Sequence, residues 1–154
     1  MKILMVCLGN ICRSPMAEGI MRHKIAENGL GWEVSSCGTG GWHVGEPPHP
    51  DGQRAMKRKG LDISHQRAKQ FHGHFLESFD LIFAMDTSNY NDILKHAQSE
   101  EEREKVAMIM NVSRPGSNMS IPDPYYNDHL YDQVFDMLNE ACDAIIQQYT
   151  EKDS

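Results

Sequence analysis

The sequence predicts an α/β fold: a single domain of three layers, with a four-stranded parallel sheet between helices on both faces. Three observations lead there. Four short strand-like runs, KILMVC, WEVSSC, DLIFAM and KVAMIM, alternate with segments of helical periodicity, and strands alternating with helices close into a parallel sheet covered on both sides. The first, third and fourth runs are nearly continuous in apolar residues, as strands buried on both faces require. The length of 154 residues at 40% hydrophobic content suffices for one core, because chains of this size bury roughly two-thirds of the surface their unfolded form exposes. One domain over residues 1–154 is expected.

Lys2 to Cys7 is the first strand. The helix after it is expected to take Ser14 as its cap and Pro15 in its first turn. Met16, Ala17, Ile20, Met21 and Ile25 form its apolar face, and Asn28-Gly29 stops it. Trp32 to Cys37 is the second strand. The stretch GTGGWHVGEPPHPDG is turn-rich, and it leads to a weak helix around Gln53 to Lys59 that Gly60 ends. Asp80 to Met85 is the third strand, followed by a helix with Tyr90, Ile93, Leu94 and Ala97 on one side. Lys105 to Met110 is the fourth. The clearest helix comes last, where Tyr131, Val134, Phe135, Leu138, Ala141, Cys142, Ile145, Ile146 and Tyr149 repeat at helical spacing. In such sheets ligands lie beyond the carboxyl ends of strands at a topological switch point, and Cys7 ends the first strand.

Composition narrows the function. With 22 acidic against 15 basic residues and a net charge of −7, neither nucleic acid nor an anionic membrane is an expected partner of the whole molecule. Any anion site must therefore be local. The apolar run from Ile3 to Leu8 is too short for a signal-peptide core or a membrane span, so a soluble, cytoplasmic protein is expected. Cys7, Cys12, Cys37 and Cys142 include no C-x-x-C pair and no zinc-ligand spacing; free thiols and no metal are expected. Cys37 and Cys142 read as small buried hydrophobes. QSEEEREK, 98 to 105, and RAMKRK, 54 to 59, read as solvated faces. His72 and His74 lack a third ligand nearby in sequence.

The chemistry concentrates in VCLGNICRSP, residues 6 to 15. A strand that turns through a glycine-containing loop into a helix start gathers unpaired backbone N–H groups around one point, to which the helix dipole adds positive potential. That point binds an anion. The same donors favour the thiolate of a cysteine at the base of the cradle, making Cys7 a nucleophile. Arg13 supplies a planar fork for two phosphate oxygens, and the Ser14 hydroxyl can hydrogen-bond the thiolate. A thiolate attacking phosphorus expels an alkoxide or phenolate, so a second group must deliver a proton. Asp123, between Pro122 and Pro124 in IPDPYY, has a backbone restricted on both sides and is the candidate acid. The adjacent rings of Tyr125 and Tyr126 cannot both point inward, and could wall a slot.

VCLGNICRSP together with DPYY resembles the low-molecular-weight protein tyrosine phosphatases, and the likeness continues through VSSCGTGGWHVGEPP and DLIFAMDTSN over nearly the whole chain. The resemblance implies a protein tyrosine phosphatase without a cofactor, acting on phosphotyrosine-containing proteins through a cysteinyl-phosphate on Cys7. It implies that phosphate or a similar oxyanion is held by Arg13 and the loop amides of Leu8, Gly9, Asn10, Ile11, Cys12, Arg13 and Ser14. Asp123 would act as acid in the first step and as base for water in the second. Asn10 would hold an unusual loop conformation through bonds to Ser14, Ser36 and His65. Leu8, Ile11, Trp42, Tyr125 and Tyr126 would form a slot deep enough to favour phosphotyrosine over the shorter phosphoserine. Members resembling arginine phosphatases tend to carry a smaller polar residue at the position of Ile11. Cys12 either forms a reversible disulfide with Cys7 under oxidation or packs beneath the loop.

Other classes fit less well. Thioredoxin-linked arsenate reducers of similar fold keep two further cysteines after the third strand, and residues 81 to 100 contain none. Phosphocarrier domains lack the arginine and the Asp-Pro acid. A binding module without activity is disfavoured because no expected catalytic residue is missing.

Overall fold

The computed structural model describes residues 1–151; the last three positions of the expected 1–154 domain lie outside the described residues. Strand β1 (Lys2–Cys7) leads into α1 (Arg13–Glu27), then β2 (Glu33–Gly38), α2 (Pro50–Arg58), the short α3 (Phe75–Ser78) and β3 (Leu81–Ala84). There follow α4 (Thr87–Leu94), α5 (Glu100–Glu104), β4 (Val106–Met108), α6 (Met110–Ser113), two single-turn 3-10 helices (Pro124–Tyr126 and Asp128–Leu130), and α7 (Tyr131–Glu151). The sheet is parallel in every pairing, in the order β2-β1-β3-β4.

Side chains alternate across a strand, and β1 uses both directions. Ile3, Met5 and Cys7 enter a core with Met16, Ile20 and Met21 of α1 and Val134, Leu138, Ala141, Cys142 and Ile145 of α7. Leu4 and Val6 enter a second core on the opposite face, with Leu76 of α3 and Ile93 of α4. Helices thus cover both faces, which is why β1 is buried along its length past Lys2. No described helix is long and apolar enough to cross a membrane. The basic run on α2 is largely spoken for: Arg54 pairs with Asp51, Arg58 with Asp132, and Lys59 lies over the Phe135 ring.

Several boundaries differ from expectation, each for a local reason. Helix α1 starts at Arg13, not after Ser14; Cys12 stands at its N-cap with no side-chain cap bond, and the Ser14 hydroxyl turns inward instead. Helix α2 begins three residues earlier than expected, because His49 caps it by accepting the Asp51 N–H at Nδ1 and Pro50 fits its first position. Ala97 lies beyond α4. The fourth strand is cut to Val106–Met108 because the chain turns at Ile109 into α6.

Candidate active site

Strand β1 has β2 on one side and β3 on the other, so its carboxyl end is the switch point of the sheet, where open α/β folds bind ligands. Cys7 sits there, 3% exposed. The next five residues, Leu8 to Cys12, have no regular structure and curl over the sulfur before α1 begins. Their carbonyls are pulled outward: Thr39 N–H donates to Cys7 O, Gly40 N–H to Leu8 O, and His49 N–H to Ile11 O, all at 2.8–2.9 Å. In a trans peptide the N–H points opposite the carbonyl, so these bonds aim the amides of Leu8, Gly9 and Cys12 into the loop. The Asn10 amide lies 3.3 Å from Cys7 Sγ, and the Ser14 hydroxyl 3.0 Å from it. The product is an anion cradle built on a sulfur.

Asn10 holds the curl. Its φ of 56° is left-handed, a region that asparagine tolerates better than most residues. Its Nδ2 donates to Ser14 Oγ at 2.8 Å and to Ser36 Oγ at 3.0 Å, while its Oδ1 accepts the Lys69 amide at 3.0 Å. The expected bond from Asn10 to His65 is absent. His65 is exposed and faces Arg22 Nη1 at 3.3 Å, and the Asn10 acceptor that it would need is taken by the Lys69 backbone. Glu18 anchors the network from behind: Ser36 Oγ donates to its Oε1 and Arg22 Nη2 to its Oε2, each at 2.8 Å.

Arg13 is almost wholly buried. Its Nη1 donates to Asp86 Oδ2 at 2.8 Å and to Ile121 O at 3.0 Å, and its Nη2 lies 3.7 Å from Asp123 Oδ2. Burial works against its charge, but Cys7 and Asp86 outweigh that and raise its pKa. Asp86 follows β3 and also caps α4 by accepting the Asn89 N–H. Asp123 arrives from the loop before α7, 40% exposed at its side chain, with Oδ1 accepting the Tyr125 N–H at 3.0 Å.

These groups share one cleft of about 320 Å³, lined by Cys7, Leu8, Gly9, Ile11, Cys12, Arg13, Trp42, His43, Asp123, Tyr125 and Tyr126. All five residues expected to wall the slot are there. Asn10, Ser14 and Ser36 stand behind the lining, and His65 lies away from it. Large apolar side chains exposed elsewhere are scarce: Leu8, Trp42, Tyr125 and Tyr126 at this mouth are joined only by Val44 among the described residues. Sequence reading missed His43, Asp86, Glu18 and His49. Asp86 had a signal, since DTSN reads as a helix cap at the end of the strand beside β1. Glu18 and Arg22, four apart, were a readable pair, but nothing local marked the histidines.

Burial pushes the Cys12 and Cys142 thiols up to about 12 and raises Cys37 as well, so all three stay protonated at neutral pH. Cys12 also lies 3.5 Å from Tyr131 Oη.

A parallel sheet with a thiol, an arginine and inward-facing loop amides at its switch point defines the class of α/β domains suited to bind an oxyanion. The chain matches the low molecular weight phosphotyrosine protein phosphatase family over residues 2–154, and it belongs to that family. It is 40% identical over 149 residues to a putative low molecular weight protein-tyrosine-phosphatase of Synechocystis, covering 95% of this chain and 94% of that one. The structure superposes on a protein tyrosine phosphatase of Entamoeba histolytica, crystallised with Hepes in its active site, with a TM-score of 0.92. The identity is 31%, and the match covers 100% of this chain and 99% of the other. A Drosophila arginine phosphatase is also similar, with a TM-score of 0.89 and 31% identity over 97% of this chain and 98% of its own. The protein is a phosphoric monoester hydrolase of the phosphotyrosine protein phosphatase type, with phosphoproteins as substrates.

Proposed function

We propose that the chain hydrolyses phosphotyrosine through a covalent cysteinyl-phosphate on Cys7. The observation that carries this reading is the convergence in one cleft of Cys7 and Arg13, from one short stretch, with Asp123, from a distant part of the sequence. The Cys7 thiolate attacks phosphorus and the bond from phosphorus to the tyrosyl oxygen breaks. Asp123, protonated, gives its proton to the departing phenolate. The loop amides and the Arg13 fork hold the non-bridging oxygens as charge redistributes over them. In the second step the Asp123 carboxylate takes a proton from water, the water oxygen attacks phosphorus, and the phosphorus–sulfur bond breaks to return the thiolate and inorganic phosphate. The Ser14 hydroxyl, 3.0 Å from the sulfur, makes the thiolate a better leaving group by hydrogen bonding. No step requires a metal.

Substrate choice follows from the walls. Leu8, Ile11, Trp42, Tyr125 and Tyr126 line a cleft whose floor is the sulfur, so a phenyl ring is needed to carry phosphate from the rim to the base. The similar arginine phosphatase shows that the fold alone does not choose between phosphotyrosine and phosphoarginine; the apolar Ile11, 8% exposed, supports an aromatic substrate. Four free cysteines suit a reducing, cytoplasmic setting.

The test is turnover of a phosphotyrosine peptide by wild type, Cys7→Ser and Asp123→Ala with chelator present. Cys7→Ser is expected to be inactive. Asp123→Ala is expected to lose roughly 10²- to 10⁴-fold in kcat/KM with poor leaving groups and far less with good ones. Equal losses for all leaving groups would remove Asp123 from the acid role.

A further inference from the structure

We infer that His49 is a positioning residue for the proton donor. Its ring, seated between Tyr125 and Tyr131, fixes Tyr125 where that residue's backbone amide orients the Asp123 carboxyl. The inference rests on the assignment of Asp123 as the acid.

His49 lies between Pro48 and Pro50, which hold its backbone in an extended conformation, φ −52° and ψ 136°. Three bonds or contacts then tie it to three parts of the site. Its N–H donates to Ile11 O at 2.8 Å, which attaches it to the cysteine loop. Its Nδ1 accepts the Asp51 N–H at 3.1 Å, which caps α2 and sets the rotation of the imidazole. The ring so aimed meets Tyr125 edge-on, with centroids 5.7 Å apart and planes at 76°, in a favourable aromatic geometry. On its other side Tyr131 stands 6.3 Å away. Tyr131 is 2% exposed and packs into the core, so it is a backstop that cannot yield.

Asp123 needs such support. Its side chain is 40% exposed, so burial does not choose its orientation, and the loop that carries it has only two single-turn helices. The Tyr125 N–H at 3.0 Å tethers Oδ1, while Oδ2 faces the cleft 3.7 Å from Arg13 Nη2. A shift of the Tyr125 ring moves its amide, and the amide moves the carboxyl. His43 also reaches Tyr125, at 6.4 Å, but only His49 joins it to the cysteine loop through a backbone bond.

The test separates ring from cap. His49→Asn keeps an acceptor for the Asp51 N–H and deletes the ring; His49→Phe keeps a ring and deletes the acceptor. Each is measured as kcat/KM on substituted phenyl phosphates spanning good and poor leaving groups, alone and combined with Asp123→Ala. His49→Asn is expected to lose about tenfold on phenyl phosphate, the scale of a small misplacement of a catalytic group, and to stay within about twofold on 4-nitrophenyl phosphate. His49→Phe should retain activity on both while melting at a lower temperature. In the Asp123→Ala background His49→Asn should cost nothing further, because the group it positions is gone. A leaving-group dependence unchanged in His49→Asn, an equal loss on every substrate, or a full additional loss on top of Asp123→Ala would each overturn the inference. A steep Asp123→Ala beside a flat His49→Asn sinks the inference alone, whereas a flat Asp123→Ala sinks the acid assignment beneath it.

Discussion

Cys7 and the other three cysteines differ in what surrounds the sulfur. Around Cys7 are the Asn10 amide and the Ser14 hydroxyl; around Cys12, Cys37 and Cys142 burial dominates and raises the pKa. Iodoacetate at neutral pH is therefore expected to alkylate Cys7 alone, and inorganic phosphate should protect it; peptide mapping by mass spectrometry checks both. Labelling of Cys12 at a comparable rate would contradict the burial argument. Arg13 carries the second prediction. Lysine there keeps a charge but loses the planar fork that reaches Asp86 and the cleft together, so Arg13→Lys should lose about 100-fold in kcat/KM, on the scale of removing one oxyanion donor. Cys7 and Arg13 could be read together because they lie within ten positions of one another, and Asp123 stood out as a candidate because two prolines flank it. His65 was misplaced: which side chain satisfies Asn10 depends on where the Lys69 amide lands, and no local pattern contains that.

Among the elements, the end of β2 matters most to the site. Gly38 pairs with Cys7 in the sheet register, and a Cβ added there would lie 2.6 Å from Leu8 O and 2.9 Å from Asn10 N. Both are backbone atoms of the loop between β1 and α1, so that loop must shift to admit a methyl group. Gly38→Ala is expected to cut kcat/KM at least about tenfold and to lower stability by about 1–3 kcal/mol, read from peptide turnover and chemical unfolding. An unchanged enzyme would mean that the loop tolerates displacement. Periodicity identified β1, α1 and α7 within a residue or two, because each has a continuous apolar face. It placed the start of α2 late and the end of β4 too far along, because a histidine cap and a turn at Ile109 are settled by neighbours rather than by pattern.

The two main apolar cores of the described residues lie on either side of one sheet, and the buried thiols give the fold a pH dependence of definite sign. A thiol ordinarily titrating near 9.0 is pushed up to about 12 at Cys12 and Cys142 by burial. Below pH 9 both folded and unfolded chains keep these protons, and stability is unaffected. Between pH 9 and about 12 the unfolded chain has lost them while the folded chain retains them. Unfolding then releases protons, and stability falls as pH rises. Denaturant midpoints measured from pH 7 to 11 should hold steady to about 9 and then decline. Replacing Cys142 by alanine should reduce the slope of that decline.

By itself the sequence determined the alternation of strands and helices and the placing of Cys7 and Arg13 together at the end of β1. Each of these is written in the spacing of residues close along the chain. Only the tertiary structure decided that Asp86 takes Arg13, that Lys69 rather than His65 serves Asn10, and that His49 touches both the loop after β1 and the Tyr125 ring. Those choices are competitions among donors, acceptors and rings brought together from distant segments, and the winner is set by where packing of the two cores leaves each backbone.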